Sequence, residues 1–487
     1  MKFSKVCAVL ASALCVSAQD STGASAGTGT STASGASSTG SSSGNGTLPA
    51  IEIKGNAFFD SSSGERFYIR GVDYQPGGSS NLTDPLGDET VCSRDIPYFK
   101  ELGLNTIRVY TIDNSLDHTA CMKLLDEAGI YLILDLNTPG ASISRYRPEC
   151  SYNADYLQSV FATVDEFAKF DNTLGFFAGN EVINSENTTN TAVYVKATVR
   201  DIKKYLKARN YRKVPVGYSA ADVSSNRLLA AEYFNCGDDA DARIDMFGVN
   251  DYSWCGSSSF QVSGYAQKMQ LYKNYSIPIF LSEYGCNKVP GSRPFTEVTA
   301  IYSDLMSSVF SGGLVYEYSQ EDNKYGLVQI DGDSVTELQD YKNLKAEFQK
   351  VQNPEGDGGY SESNKYSDCP AYEKGIWESN STLPSMPDAA SAYFKSGAGS
   401  PLGTGVITQE MCDKEDDDDS SSSSVTATAT STSKSASASS HSSSASGSAS
   451  HSGSASSTSS TSKSKGIAGS VEAPLAYGIM AFFSFLI

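Results

Sequence analysis

Histidine is nearly missing from this 487-residue chain: only His118, His441 and His451 occur. The last two lie in a serine-rich tail, so a Ser-His-Asp triad or a multi-histidine zinc site would have to be built on His118. His118 follows Asp117 and reads as the start of a helix on a surface segment. No C-x-x-C pair occurs, which removes the common zinc and redox motifs. Positive charge is scarce too, with 37 Lys and Arg against 56 Asp and Glu and a net charge of −19. An electrostatic nucleic-acid binder needs the opposite balance. "GVDYQPGG" lacks the lysine and spacing of a phosphate loop, so its glycines are turn residues. The "DDDD" run reads as solvated charge rather than a calcium site. The most apolar end, "PLAYGIMAFFSFLI", is too short to span a bilayer as a helix. No metal and no cofactor is expected.

What is abundant at both ends is serine, threonine, glycine and alanine. Residues 1–18 place Lys2 and Lys5 before an apolar run and end at Val16-Ser17-Ala18, the pattern of a cleaved secretory signal. Residues 19–48 are low-complexity and cannot bury a core. An acidic run and Ser/Thr-rich stretch over 415–465 read as an O-mannosylated stalk. Over 466–487, Gly466, Ala468, Gly469 and Ser470, a spacer and the apolar end match a glycolipid-anchor signal that is removed. The expected location is the outer face of the plasma membrane or the cell wall. Asn45, Asn81, Asn187, Asn274 and Asn380 each open a glycosylation sequon. That leaves one large domain over 49–370 and an extension over 371–414. Loss of Cys7 and Cys15 with the signal leaves eight cysteines, an even count that favours disulfides in a secreted chain.

Within the domain, short apolar runs alternate with longer helical stretches. The runs are "RFYIRGVDY", "NTIRVY", "YLILDL", "LGFFAGN", "VPVGYSA", "DMFGVNDY", "IPIFLSEYG" and "GGLVYEYS". Near-continuous apolar strands joined by helices imply a parallel sheet buried on both faces. Eight of them imply a (β/α)8 barrel, whose active sites gather at the strand C-terminal ends. Glu181 follows the fourth strand and Glu283 ends the seventh. Tyr74, Gln75, Tyr110, Asp135, Asn137, Asp222, Tyr252, Trp254, Tyr316 and Tyr318 fall at the same rim.

Paired carboxylates across a cleft are the working parts of glycoside cleavage: one protonates the leaving oxygen while the other attacks the anomeric carbon. Asn180 beside Glu181 suits a donor to the sugar 2-hydroxyl. Either glutamate alone reads as a barrel-end ion-pair partner; the two on strands four and seven, with an asparagine before the first, read as a catalytic pair.

These residues also carry a resemblance. "GVDYQPGG", "NTIRVYTID", "GFFAGNEV", "NDYSWCG", "FLSEYGC" and "FSGGLVYEYSQEDNKYGLV", spread over Ile51 to Pro370, closely resemble the fungal β-1,3-glucanosyltransferases of glycoside hydrolase family 72. The resemblance implies a membrane-anchored enzyme that cuts an internal β-1,3-glucan bond and joins the retained part to another glucan chain. It implies no nucleic acid and no obligate protein partner. Carried over, it makes Glu181 the acid/base and Glu283 the nucleophile. It matches Tyr110, Asn180 and Tyr316 to sugar-contacting positions, and the stretch Asn137 to Arg145, with Asp222 and Arg227, to further glucan-binding segments. Tyr252 is placed to hydrogen-bond the nucleophile. Ser253 departs from the acidic residue the motif carries before its tryptophan. The resemblance pairs Cys92 with Cys121, Cys255 with Cys286, and Cys236 with Cys369, and leaves Cys150 and Cys412 either to pair or to stay free. With only Cys412 beyond Cys369, the chain resembles the subgroup without the cysteine-rich carbohydrate-binding module. The alternatives are a retaining endo-β-1,3-glucanase and a non-catalytic, glucan-binding wall adhesin.

Overall fold

A computed structural model describes residues 48–406 and Cys412; the signal, the stalk, the anchor signal and Asn45 lie outside the described residues. Eight parallel strands close into a barrel in chain order. We number them β1 (Ile69–Asp73), β2 (Thr106–Val109), β3 (Tyr131–Asp135), β4 (Thr173–Asn180), β5 (Val216–Ala221), β6 (Met246–Cys255), β7 (Ile279–Cys286) and β8 (Phe310–Val315). Main crossover helices are α1 (Glu89–Leu102), α2 (Thr119–Glu127), α3 (Ala154–Phe167), α4 (Ala192–Ala208), α5 (Arg227–Phe234) and α6 (Tyr265–Tyr272). Capping follows the sequence. Asp88 accepts from the Thr90 N–H at the start of α1, and Gly103 ends that helix in the left-handed region, where a side chain would be strained.

The first apolar run does not form one strand. Arg66–Phe67 joins a three-stranded antiparallel sheet with Ile51–Lys54 and Ala57–Asp60. The chain enters the barrel only after Tyr68, where the Asn105 amide bonds both the Tyr68 carbonyl and the Arg70 N–H. Phe58 from this small sheet meets Phe280 edge-on at 6.0 Å, and Phe280 stacks on Phe177 at 5.9 Å. With Ile69, Ile133, Leu174, Met246 and Leu314 these rings form one buried cluster. Barrel closure between β8 and β1 explains "SGG": a Cβ on Gly312, at φ +87°, would lie 2.1 Å from the Ile69 carbonyl oxygen.

After the helix Gln339–Lys350 the chain runs back over the barrel's flank. Cys369 is disulfide-bonded to Cys236, Trp377 is buried against Tyr233, and Gln158 on α3 donates to the Ala398 and Ser400 carbonyls. Cys412 is bonded to Cys150, resolving the pairing the sequence left open. Cys92–Cys121 and Cys255–Cys286 are the other bridges. Asn81, Asn187, Asn274 and Asn380 are exposed, as glycan attachment requires. No helix among the described residues is long and apolar enough to cross a membrane.

One sequence expectation is corrected here. His118 does begin α2, but it is fully buried rather than on the surface. Its two ring nitrogens face Asp84 at 2.7 Å and Glu166 at 3.2 Å. Burial opposes its charge, but the bonds to the two carboxylates outweigh it and raise its pKa to about 9. The acidic partners come from a distant loop and from α3, which is why the local sequence concealed them.

Candidate active site

Glu181 and Glu283 stand at the C-terminal rim of the barrel, and each has its own set of partners. Glu283 lies in β7, where the pairing with β6 slips by one residue between Leu281 and Glu283. Such bulges re-aim side chains beside active sites. Its Oε1 accepts from the Tyr110 hydroxyl at 2.9 Å and from Arg108 Nη1 at 3.2 Å, and its Oε2 from the Tyr252 hydroxyl at 2.7 Å. Burial pushes the Glu283 carboxyl up to about 7; Arg108 pulls it down, Glu181 pushes it up, and the two tyrosines pull it down.

Arg108 is the hub beneath it. The guanidinium is wholly buried, packs against the rings of Tyr110 and Phe177, and forks onto Asp135 at 3.0 and 2.9 Å. Asp73 is a third carboxylate at 4.0 Å, buried with neither oxygen hydrogen-bonded among the described residues; burial raises its pKa well above the usual range, Arg108 opposing and the neighbouring carboxylates adding to the rise. Gln75 sets Tyr110 from behind, accepting from the Tyr110 and Thr111 N–H groups.

Glu181 directly follows β4 with φ +49°, a left-handed conformation that costs of order 1–3 kcal/mol unless its surroundings hold it. They do: its N–H donates to the Ser219 carbonyl at 2.8 Å, and its carbonyl accepts from Arg145 at 2.8 and 3.2 Å. Its carboxylate Oε1 accepts from Asn250 Nδ2 at 2.9 Å, and the same amide reaches Asn180 Oδ1 at 3.2 Å. Ser219 and Ser282 donate to Asn250 Oδ1, which orients that amide. Asn250 is a residue sequence reading missed, although it stands inside the quoted "NDYSWCG".

Tyr316, just past β8, completes an aromatic wall with Tyr110, Tyr252 and the unpredicted Tyr325, at ring separations of 6.4, 6.3 and 5.2 Å. Asn137 Oδ1 is buried and has no hydrogen-bond partner among the described residues. Tyr110, Asn180, Glu181, Tyr252, Glu283 and Tyr316 are therefore brought together. Tyr74 and Tyr318 are not. Both turn away from the cleft, donate to Asp95 on α1 and pack on Phe99. Trp254 is a core residue whose indole donates to Thr296.

Asp222 and Arg227 form a neighbouring charged cluster. Asp222 pairs with Arg227 Nε at 3.0 Å and accepts from Lys268 Nζ at 2.7 Å, while Lys268 also bonds Asp251. Ser253, the departure from the motif, donates to Asp251 Oδ1 at 2.6 Å and accepts from Lys268 at 3.1 Å. Arg145, read as glucan-binding, donates to the Glu181 carbonyl through Nε and Nη2. Among the described residues no group of three or more His, Cys, Asp or Glu is placed to hold a metal ion.

The Cys255–Cys286 bridge ties the ends of β6 and β7, three residues after Glu283. Closing a loop of 31 residues constrains the unfolded chain by roughly 3–4 kcal/mol on the entropic model. Changing both cysteines to Ser is expected to lower the melting temperature, and to lower activity where the protein is still folded, since a 1 Å misplacement can cost about a hundredfold. Unchanged activity of the folded double variant would separate the bridge from the positioning of Glu283.

Residues 41–352 match the family model described as Glucanosyltransferase. The chain is 75% identical over 372 residues to the 1,3-beta-glucanosyltransferase GAS5 of Saccharomyces cerevisiae, covering 76% of this chain and 77% of that protein. It is 59% identical over 360 residues to the 1,3-beta-glucanosyltransferase PGA4 of Candida albicans, covering 74% and 79%. Among solved structures, Saccharomyces cerevisiae Gas2p in complex with laminaritriose and laminaritetraose is similar with a TM-score of 0.66 and 45% identity, over 70% of this chain and 78% of that one.

Proposed function

Because the chain belongs to the glucanosyltransferases of glycoside hydrolase family 72, we propose that its rim site works as a retaining pair, with Glu283 attacking and Glu181 moving the proton. The protein is a 1,3-beta-glucanosyltransferase: it cleaves a β-1,3-glucan internally and transfers the new reducing end to the non-reducing end of another glucan chain. The observation that carries the residue assignment is the difference between the two carboxylates' surroundings. Glu283 is held by two hydroxyls and a guanidinium that favour its ionised, attacking form, with Oε2 fixed by Tyr252. Glu181 instead rests one oxygen on a neutral group, the Asn250 amide.

In the first step Glu283 bonds to the anomeric carbon as the glycosidic bond breaks, and Glu181 gives its proton to the leaving glucan oxygen. In the second, Glu181 takes a proton from the acceptor's hydroxyl, that oxygen attacks the anomeric carbon, and the ester to Glu283 breaks. Asn180 is suited to the 2-hydroxyl of the sugar being transferred. Tyr110, Tyr252 and Tyr316 offer ring faces, and the unpartnered Asn137 Oδ1 can accept from a sugar hydroxyl. Incubation with one defined laminari-oligosaccharide tests the reaction: products longer than the substrate are expected, whereas shorter products alone would make the enzyme a hydrolase.

Glu283 must be ionised to attack, so activity toward free enzyme and substrate falls as pH drops through about 7. The Tyr252 hydroxyl helps hold that carboxyl down. Tyr252→Phe is therefore expected to move the acid limb of kcat/KM upward by about one unit, the worth of one hydrogen bond to a charged group. A limb that stays put, or moves down, would contradict the role given to Tyr252.

The protein acts at the cell surface, as a cell-wall glucanosyltransferase does. Attachment through a glycolipid at Gly466, Ala468 or Gly469 accounts for the small residues before the apolar end. A phospholipase that cuts such anchors is expected to release the protein from cells; finding "PLAYGIMAFFSFLI" in the surface form would rule the anchor out.

A further inference from the structure

Asp73 ends β1 beside Arg108 of β2, wholly buried, and its Oδ1 lies 4.0 Å from Arg108 Nη1. That nitrogen donates to the Ser282 carbonyl and to Glu283 Oε1, both at 3.2 Å, which uses its two hydrogens. Nε and Nη2 fork onto Asp135. Asp73 therefore stands within reach of the guanidinium's charge but outside its hydrogen bonds. Neither of its oxygens has a partner among the described residues.

The groups that face it come from all around the barrel interior: Arg108 on β2, Asp135 on β3, Glu283 on β7, and Glu317 just past β8. The hydroxyls of Tyr110, Tyr252 and Tyr316 share the same field. Arg108 is the cation of this group, and Glu283 and Asp135 already outnumber it. A third buried negative charge has no counter-ion, so the free enzyme carries Asp73 as a neutral acid.

That balance changes during catalysis. In the two-step reaction proposed above, on which this inference rests, Glu283 spends its charge on the ester. Arg108 and Asp135 are then a neutral pair, and Nη1 has lost its charged acceptor at Glu283. Both changes make Asp73 easier to ionise. Breaking the ester returns the charge to Glu283, which needs Nη1 again. An ionised Asp73 competes for that nitrogen.

We propose that Asp73 is a positioning residue that reserves Arg108 for the nucleophile: neutral, it leaves Nη1 to Glu283, and its ionisation in the glycosyl-enzyme, with the proton passing to solvent, slows the second step.

The second step isolates this effect, because Glu181 works there as a base and its ionised form is the active one. An alkaline fall in that step has to come from another group. With an activated laminari-oligosaccharide donor the first step is fast, so kcat at saturating acceptor reads the second. For the wild-type mature protein, kcat is expected to fall by about tenfold per pH unit beyond the titration of Asp73. Asp73→Asn cannot ionise and is expected to stay level there. Glu317→Gln, run beside it, is expected to keep the fall; burial pushes the Glu317 carboxyl up to about 8, so it is the other acid to separate. The acid limb of kcat/KM is expected to stay in place in Asp73→Asn, whereas loss of a charged neighbour would lower it by about one unit or more.

A level wild-type profile, an Asn variant that keeps the fall, a fall that disappears with Glu317, or a lowered acid limb each overturns the proposal. Infrared spectra of wild-type protein grown on isotope-labelled aspartate need no variant. A protonated-aspartate carbonyl band is expected at neutral pH, and it should vanish at a lower pH once a donor bearing 2-fluorine has trapped the ester. No such band, or a band whose titration trapping does not move, also overturns it. Failure of the trap to modify Glu283 would instead refute the two-carboxylate reading beneath it.

Discussion

Glu283→Gln is expected to form no detectable glycosyl-enzyme with any donor, because an amide is a far poorer nucleophile than a carboxylate. The loss in kcat should be on the order of 10⁴ or more, as for other deleted nucleophiles. The fold should survive, since Gln keeps the shape and one acceptor for Tyr110 or Tyr252. Its amide N–H₂ cannot accept from the remaining donor, so the loss is local. Glu181→Gln removes the proton instead. With ordinary glucan the first step should stop, but a donor whose leaving group needs no proton should restore it in this variant alone. Measuring the burst from such a donor in both variants separates the roles, and equal rescue of both would overturn the assignment.

Arg108→Met is expected to be the most destabilising single change in the site. Arg108 is shared by Asp135, Glu283 and Asp73, all buried. Removing the cation leaves carboxylates in the barrel interior without their counter-charge, and breaking a buried pair from one side costs about 3–5 kcal/mol. The melting temperature should fall by several degrees, and by less at acid pH, where protonated carboxyls no longer need the cation. Catalysis should suffer through Glu283. Burial already raises that carboxyl and Arg108 opposes the rise, so without the guanidinium the acid limb moves to higher pH. Arg108→Lys should recover part of the stability but not the fork onto Asp135. A Met variant as stable as the parent across the pH range would show that the interior carboxyls do not depend on this cation.

Much of this was readable in the residues because a barrel strand is buried on both sides and so spells a continuous apolar run. Polar residues at the ends of such runs stand out, and Glu181, Glu283, Tyr110 and Tyr316 were found that way. Rim position alone does not say which way a side chain turns. Tyr74 and Tyr318 occupy strand ends just as Tyr110 and Tyr316 do, yet they turn toward Asp95 on α1. Asn250 was overlooked because its significance lies in Asn180 and Glu181, which come from a strand two places away in the barrel. The one local signal for the hub was an arginine in mid-strand, in "NTIRVY", where a buried charge needs partners. His118 was misplaced for a related reason: Asp84 and Glu166, which make its burial tolerable, are brought to it only by the fold.

The central claim is that a sugar is carried covalently on Glu283 between donor and acceptor. Reaction with a laminari-oligosaccharide bearing 2-fluorine and a good leaving group slows the second step and lets the intermediate accumulate. Digestion and mass spectrometry should then find one glycosyl adduct, in the peptide containing "FLSEYGC", with fragmentation placing it on Glu283. An adduct on another residue, or full turnover of the natural glucan by an enzyme that never acquires one, would contradict the account.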